Sequence, residues 1–277
     1  NFALQLLNQN SGHLMRKTGI LLHISSLPSD FGIGDFGPEA IRFAEYLKTE
    51  GHTYWQILPI THCGYGNSPY NPLSAFALNP YFISPELLYQ QGYINQLMLD
   101  TVKIPRGNIT RYEQVYTQKD KMLAQATANW MLTNNLNDFI EEKAAYLKPY
   151  LTFLSLSKFY NDTCWYNWNE EHRHFNEKLY QKVRLLDTSY FNLRAATQAM
   201  LAEQLSWFKE HLQELGIILI GDLPLYLSYD SAEVWAHQEY FDLDEQGRRL
   251  HFAGVPPDAF AERGQLWGNP LYRWEVL

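Results

Sequence analysis

Residues 216–235 read GIILIGDLPLYLSYDSAEVW, an apolar run that ends on a glycine, an acid and a proline. Residues 217–220 predict a buried strand because they form a short continuous apolar run bounded by turn formers. Asp222 then follows the carboxyl end of that strand, where parallel α/β folds assemble their sites. Asp222 is therefore a candidate for ligand binding or chemistry.

The beginning of the chain predicts a β-α-β unit. Residues 20–24 and 53–60 form two short apolar strands. Between them, Pro38 is placed to open an amphipathic helix and Gly51 to end it. Because strands joined by a crossover helix pair in parallel, we predict an α/β fold.

Helical patterns dominate the middle of the chain. Residues 112–160 show helical periodicity without a strand pattern, which predicts a helical insertion at about residues 86–195. A helical stripe then leads to Gly216 as its terminator; its members are Leu201, Leu205, Phe208, Leu212 and Leu215. Residues 241–252, FDLDEQGRRLHF, predict a hairpin with a glycine-containing turn.

Composition narrows the range of partners. The 277 residues are 46% hydrophobic, which is enough for a full core. A formal net charge of −8 argues against nucleic acid or an anionic membrane surface as partner, since both need clustered Lys and Arg, and no apolar run reaches the length of a membrane span. The 19 tyrosines and eight tryptophans suit a neutral ligand such as a sugar, although core packing alone can account for most of them.

Cysteine usage and the amino terminus bear on the compartment. Cys63 and Cys164 lie far apart and outside any C-x-x-C pattern, so neither a disulfide nor a zinc site is predicted. A reducing, cytoplasmic location fits this pattern. We expect Met15 to be the natural start, with residues 1–14 a leader left from expression.

Four histidines are given structural interpretations. His172 and His174, two residues apart, do not share a helix face, so a solvated surface is favoured over a metal site. His23, in an apolar strand, is predicted to be a hydrogen-bonded core residue, and His237 is also predicted to be structural. No metal is expected.

Two loop segments share a composition of Gly, Asn, Pro and aromatic residues. They are residues 62–82, HCGYGNSPYNPLSAFALNPYF, and residues 253–274, AGVPPDAFAERGQLWGNPLYRW. This mixture is typical of rigid loops that can line or cover a sugar site. Turn chemistry alone explains the same residues, so both interpretations stand.

Five segments in this order resemble the amylomaltase family, the 4-α-glucanotransferases of bacteria and plants. They read GILLHISSLPSDFGIGDFG, YWQILPI, SPYNPLSAFALNPYFI, IGDLPLYLSYDSAEVWA and GVPPDAFAERGQLWGNPLYRW, and extend from Gly19 to Trp274. The insertion matches loosely, because the family's W-x-x-W-P segment is here Trp165 and Trp168 followed by Asn169.

The resemblance implies the N-terminal part of a (β/α)8 TIM barrel. It implies a retaining transglycosylase that moves 1,4-α-glucan segments between maltooligosaccharides or to glucose, with no cofactor. By the same correspondence, Asp222 holds the donor glucose and Ser68 and Tyr70 line the donor side. A loop over the cleft carries the remaining substrate-binding residues, Gln265, Trp267 and Asn269.

The resemblance also implies that the catalytic residues lie elsewhere. The family's nucleophile motif, R-I-D-H-F-R-G, follows the WGNPLYRW segment, and neither it nor the acid occurs before Leu277. We therefore assign no catalytic residue to this chain and expect both downstream. Asp230, Glu233 and Asp258 are weaker substitutes, since acids near helix starts commonly serve as caps.

Two other functions remain open from the sequence. A non-catalytic glucan-binding module would use the same aromatic loops. An α-amylase-type hydrolase would use the same barrel and let water complete the reaction.

Overall fold

The computed structural model describes residues 16–277 of the chain. The predicted leader and the start at Met15 lie outside these residues. Three parallel strands, β1 (Gly19–Leu21), β2 (Tyr54–Gln56) and β3 (Ile218–Ile220), form a sheet in the order β1-β2-β3. This order confirms the β-α-β unit and places the strand before Asp222 in the same sheet.

Helix α1 (Pro38–Thr49) crosses over between β1 and β2. It begins with Pro38 in its first turn, as predicted, and Gly51 adopts a left-handed φ of 77° just beyond its end. The strands are shorter than the predicted 20–24 and 53–60, because the chain turns into a 3-10 helix at Ile24–Ser26 and Pro59 interrupts the second run.

Seven helices separate β2 from β3: α2 (Pro85–Gln90), α3 (Gln96–Thr101), α4 (Tyr112–Trp130), α5 (Leu136–Glu142), α6 (Ala144–Tyr160), α7 (Glu177–Leu186) and α8 (Thr188–Leu215). Within the described residues no strand interrupts them. Five of these helices begin at a capping residue whose side chain accepts a backbone N–H of the first turn. The capping residues are Ser84, Asn95, Asn135, Asn176 and Asp187.

Helix α8 links the helical region to the sheet. It is 28 residues long and ends at Gly216, which has a φ of 74°, so Gly216 is the predicted terminator. The predicted stripe faces inward, with Phe208 in edge contact with the Trp55 ring of β2 at 5.5 Å between centroids. The expected end of the insertion at residue 195 falls inside this single helix.

Buried aromatic side chains fill the core of the helical region. Trp165 and Trp168 are at most 1% exposed, and Trp235 of helix α9 (Ala232–Ala236) packs against Trp168. The predicted solvated surface is wrong for His172, which is 6% exposed: the Tyr160 ring packs edge-on against the imidazole, and the Tyr160 hydroxyl lies 2.8 Å from its Nδ1. In the described part of the chain, no cluster of His, Cys, Asp and Glu could hold a metal ion.

The carboxyl-terminal segment differs from the predicted hairpin at residues 241–252. A single bridge, Leu243 to Arg249, closes the turn that contains Gly247. The longer ladder is antiparallel and joins β4 (Phe252–Val255) to β5 (Gln265–Pro270). The predicted hairpin is thus reduced to a single bridge, and its last residue, Phe252, belongs to the longer ladder.

Apolar side chains of the two outer strands are uncovered. Ile20 and Leu21 of β1 are 37% and 56% exposed, and Ile218 and Ile220 of β3 are 48% and 41% exposed. The central Trp55 is fully buried. Among residues 16–277, no helix is long and apolar enough to cross a membrane.

Candidate functional site

Asp222 follows β3 at the carboxyl edge of the sheet. Its Oδ2 accepts the Tyr70 phenol O–H at 2.6 Å, and its Oδ1 accepts the backbone N–H of Leu223 at 2.8 Å. The bond to Asp222 raises the pKa of the Tyr70 phenol. Each carboxylate oxygen accepts one hydrogen bond in this arrangement and has a second lone pair for a ligand.

The loop after β2 presents Tyr70 to Asp222. Tyr70 is 50% exposed, and its backbone N–H donates to the Ser68 hydroxyl at 3.3 Å. Backbone bridges from Thr61 to Leu78 and from Cys63 to Pro72 make the loop a narrow antiparallel ribbon. The structure thus brings Ser68, Tyr70 and Asp222 together.

Lys119 of α4 anchors the far end of that loop. Its ammonium donates to the carbonyls of Tyr81 at 2.7 Å and Ile83 at 2.8 Å, and lies 3.7 Å from the Asp35 carboxylate. Burial lowers the pKa of Lys119 and raises the pKa of Asp35. The helical region is therefore fastened to the loop by a buried cation with three acceptors.

The second predicted group lies on β5. Asn269 donates its side-chain N–H to the Leu227 carbonyl at 2.8 Å, and the Trp267 indole N–H donates to Gln265 Oε1 at 3.0 Å. Trp267 is 48% exposed, with its ring 6.1 Å from that of Tyr226. The segment of residues 222–227 connects the two groups. It begins with Asp222, which binds Tyr70, and ends with Leu227, whose carbonyl accepts the Asn269 amide N–H.

Tyr226 and Tyr272 belong to this surface and are absent from the sequence-based set. Their rings stack at 6.2 Å between centroids, and the Tyr272 phenol donates to the Leu225 carbonyl at 3.0 Å. Tyr226 lies only four residues after Asp222, and Tyr272 three after Asn269. That proximity to predicted site residues is the signal that could have identified them.

A further cleft of about 550 Å³ lies beside the loop after β2. Tyr112 and Tyr116 of α4, four residues apart, share the helix face that lines it. Tyr65 and Tyr81 of the loop also line it, and the Tyr81 ring lies 4.4 Å from that of Tyr116. The tyrosine-rich composition of residues 62–82 thus supplies exposed aromatic surface as well as core.

The three acids considered as substitute catalysts have different environments. Asp258 accepts the backbone N–H groups of Phe260 and Ala261, both at 2.8 Å, and caps its own turn. Glu233 is 9% exposed and accepts the Ser74 hydroxyl at 2.6 Å, with its pKa raised by burial. Burial also raises the pKa of Asp230. Glu233 and Asp258 therefore have evident structural partners.

Comparisons with known proteins relate the chain to one family. A family model described as 4-alpha-glucanotransferase matches residues 22–277. The 4-alpha-glucanotransferase of Aquifex aeolicus is 40% identical over 263 residues, covering 94% of this chain and 53% of that protein. The Thermus thermophilus enzyme of the same name is 40% identical over 270 residues, covering 95% of this chain and 53% of that protein.

Solved structures give the same relationship. The amylomaltase from Streptococcus agalactiae in complex with acarbose has a TM-score of 0.87 at 33% identity, covering 94% of this chain and 54% of that one. The mixed α/β fold therefore matches an amylomaltase. The chain spans about half the length of the curated relatives it matches.

Proposed function

Because the chain belongs to the 4-alpha-glucanotransferase family, we propose that it forms the donor-binding part of an enzyme that transfers 1,4-α-glucan segments to another glucan or to glucose. The observation that carries the proposal is the hydrogen bond from Tyr70 to Asp222 at the carboxyl edge of the sheet. It joins two residues 152 positions apart into one polar site, and residues 222–227 lead from that site to Tyr226, whose ring lies 6.1 Å from the exposed Trp267 ring.

Sugar recognition explains the roles of the individual side chains. Asp222 accepts hydrogen bonds from hydroxyls of the donor glucose, and Ser68 and Tyr70 line the donor side. Charged acceptors form strong hydrogen bonds to ligand hydroxyls. Trp267 offers a flat face to a sugar ring, while Gln265 and Asn269 supply amide groups at the cleft.

The (β/α)8 barrel is part of the proposal. The half-exposed apolar side chains of β1 and β3 support it, since further strands and helices of a closed barrel would cover them. In this arrangement residues 15–277 are the N-terminal part of the barrel domain, and its helical insertion begins at about residue 86 and ends before α8, which leads back to β3. The nucleophile and the general acid are assigned to no residue of this chain.

The chemistry needs no cofactor. In a retaining enzyme one carboxylate attacks the anomeric carbon and another, about 5 Å away, protonates the leaving oxygen. A second sugar then takes the place of water and accepts the glucosyl group. Aromatic walls that exclude water favour this outcome over hydrolysis. With two separated cysteines and a net charge of −8, a cytoplasmic glucan enzyme without nucleic-acid or membrane partners fits the chain.

Product analysis on maltotriose tests the reaction. The full-length protein should release glucose and form maltooligosaccharides longer than maltotriose. Reducing ends released in proportion to turnover, without longer products, would instead identify a hydrolase. Binding of maltooligosaccharides without any turnover would identify a glucan-binding module.

A further inference from the structure

Strand β5 contains a bulge at the residues assigned to the cleft. Phe252 pairs with Pro270 and Gly254 with Leu266, so the three residues Trp267–Asn269 oppose a single residue of β4. Gly268, at the centre, has a left-handed φ of 80°. Bulges bend a strand and redirect its side chains, and they are frequent beside active sites. The directions of Trp267 and Asn269 therefore depend on the shape of this bulge.

Arg249 contacts the centre of the bulge from the neighbouring turn. Its Nη1 donates to the Gly268 carbonyl, the oxygen of the peptide bond that joins Gly268 to Asn269. An ideal Cβ built on Gly268 would lie 3.6 Å from the same nitrogen. The guanidinium is thus in direct contact with the backbone at the centre of the bulge.

Two aromatic rings hold the guanidinium in place. Its central carbon lies 4.1 Å from the centroid of the Tyr229 ring and 5.0 Å from that of Phe252. Tyr229 is itself fixed, because its phenol donates to the Gly247 carbonyl at 2.5 Å and its ring stacks on Tyr166 at 4.5 Å. A planar cation on an aromatic platform loses little further freedom when it forms a hydrogen bond.

We propose that Arg249 is a positioning residue that holds the β5 bulge in the shape that directs Trp267 and Asn269 into the glucan cleft. The inference rests on the proposed function, since it assumes that this cleft binds glucan. Arg249 itself need not touch the sugar. Its effect should therefore appear mainly in substrate affinity and much less in the chemical step.

The test compares two adjacent arginines in the full-length protein. In Arg249→Met, the KM for maltotriose should rise about ten-fold, with kcat within about two-fold of wild type, because a charged hydrogen bond and the ring contacts are lost. The matched control is Arg248→Met, since Arg248 is exposed and its Nε pairs with Asp244 at 2.8 Å. The control should leave KM unchanged. An unchanged KM in Arg249→Met, or an equal rise in the control, would overturn the inference.

Two further variants keep the test decisive if Arg249→Met folds poorly. Arg249→Lys keeps the charge but lacks the planar guanidinium, so KM should still rise; wild-type KM would contradict the proposed geometry. Gly268→Ala strains the same bulge directly. In the double variant, the rise in KM should differ from the product of the rises seen in Arg249→Lys and Gly268→Ala alone. A rise equal to that product would refute the shared mechanism.

The controls separate this inference from the proposed function. A wild-type protein that neither turns over maltotriose nor binds maltooligosaccharides would refute the proposed function itself. Wild-type activity together with unaltered Arg249 variants would refute only the role of Arg249.

Discussion

Replacing Asp222 by Asn tests the proposed sugar site most directly. The substitution removes a charge but keeps the shape of the side chain. Asn Oδ1 can still accept the Leu223 N–H now found at 2.8 Å, and the Asn amide still faces the Tyr70 phenol oxygen, now 2.6 Å from Oδ2. What the variant lacks is a charged acceptor for the donor-glucose hydroxyls.

The size of the effect follows from that loss. A hydrogen bond to a charged group contributes about 1.5 to 3 kcal/mol. Since about 1.4 kcal/mol corresponds to ten-fold, kcat/KM for maltotriose should fall by about ten-fold to 150-fold in the full-length protein. The melting temperature should stay within about 2 °C of wild type, as expected for a partly exposed residue whose local hydrogen bonds are retained.

The assay pairs steady-state kinetics with thermal unfolding. Asp100→Asn is the matched control, because Asp100 is exposed on α3 and its carboxylate pairs with Gln96 and Lys103 of the same surface. The control should keep kcat/KM within about two-fold. A normal kcat/KM and a lowered melting temperature in Asp222→Asn would show that Asp222 is structural and would refute the binding role.

Three further predictions concern stability, each measured by chemical or thermal unfolding. Gly216→Ala should lower the free energy of unfolding by about 1 kcal/mol, because alanine is strained in the left-handed conformation even though a Cβ there meets no neighbouring atom. Gly221→Ala, where the backbone is not left-handed, should lower it clearly less. Equal losses in the two variants would refute the argument. Lys119→Met should lower the free energy of unfolding by about 3 to 5 kcal/mol, because it leaves buried acceptors unpaired. Lys121→Met, at an exposed position of the same helix, should change stability little. Similarly small losses in both variants would contradict the anchoring role of Lys119. Burial lowers the pKa of His23 to about 4 from 6.5, so the unfolded state takes up a proton first as the pH falls. The contribution of neutral His23 to the free energy of unfolding is complete above pH 6.5 and should decline by up to about 3 kcal/mol toward pH 4. A His23→Gln variant whose stability has the same pH dependence as wild type would refute this prediction.

Local signals in the sequence predict the fold where backbone chemistry decides the outcome. Pro38 opens α1, and Gly216 ends α8 in the left-handed conformation that glycine adopts readily. The extent of the first strand was less predictable, since the 3-10 turn that starts at Ile24 depends on packing of that side chain into the core. His23 is buried as predicted, but its Nδ1 has no hydrogen-bond partner.

Features that depend on pairing between distant segments could not be predicted from the chain alone. The bulge at Gly268 exists only in the register of β5 against β4, which periodicity does not specify. Arg249 lies within the predicted hairpin and gains its partners only when the Tyr229 and Phe252 rings meet around it. The backbone carbonyl of His172 likewise finds its hydrogen-bond donor, the Trp235 indole, 63 positions away.

The continuity of α8 limits how the insertion can be removed or exchanged. At 28 residues and about 1.5 Å per residue, the helix is about 42 Å long, and two residues separate its end from β3. An excision at residue 195 would cut the helix at its eighth residue and expose backbone groups that are now hydrogen-bonded within it. A chimaera that swaps the insertion between relatives should therefore join the parents at Asp187, the residue that caps α8, and keep the whole helix with the sheet it supports.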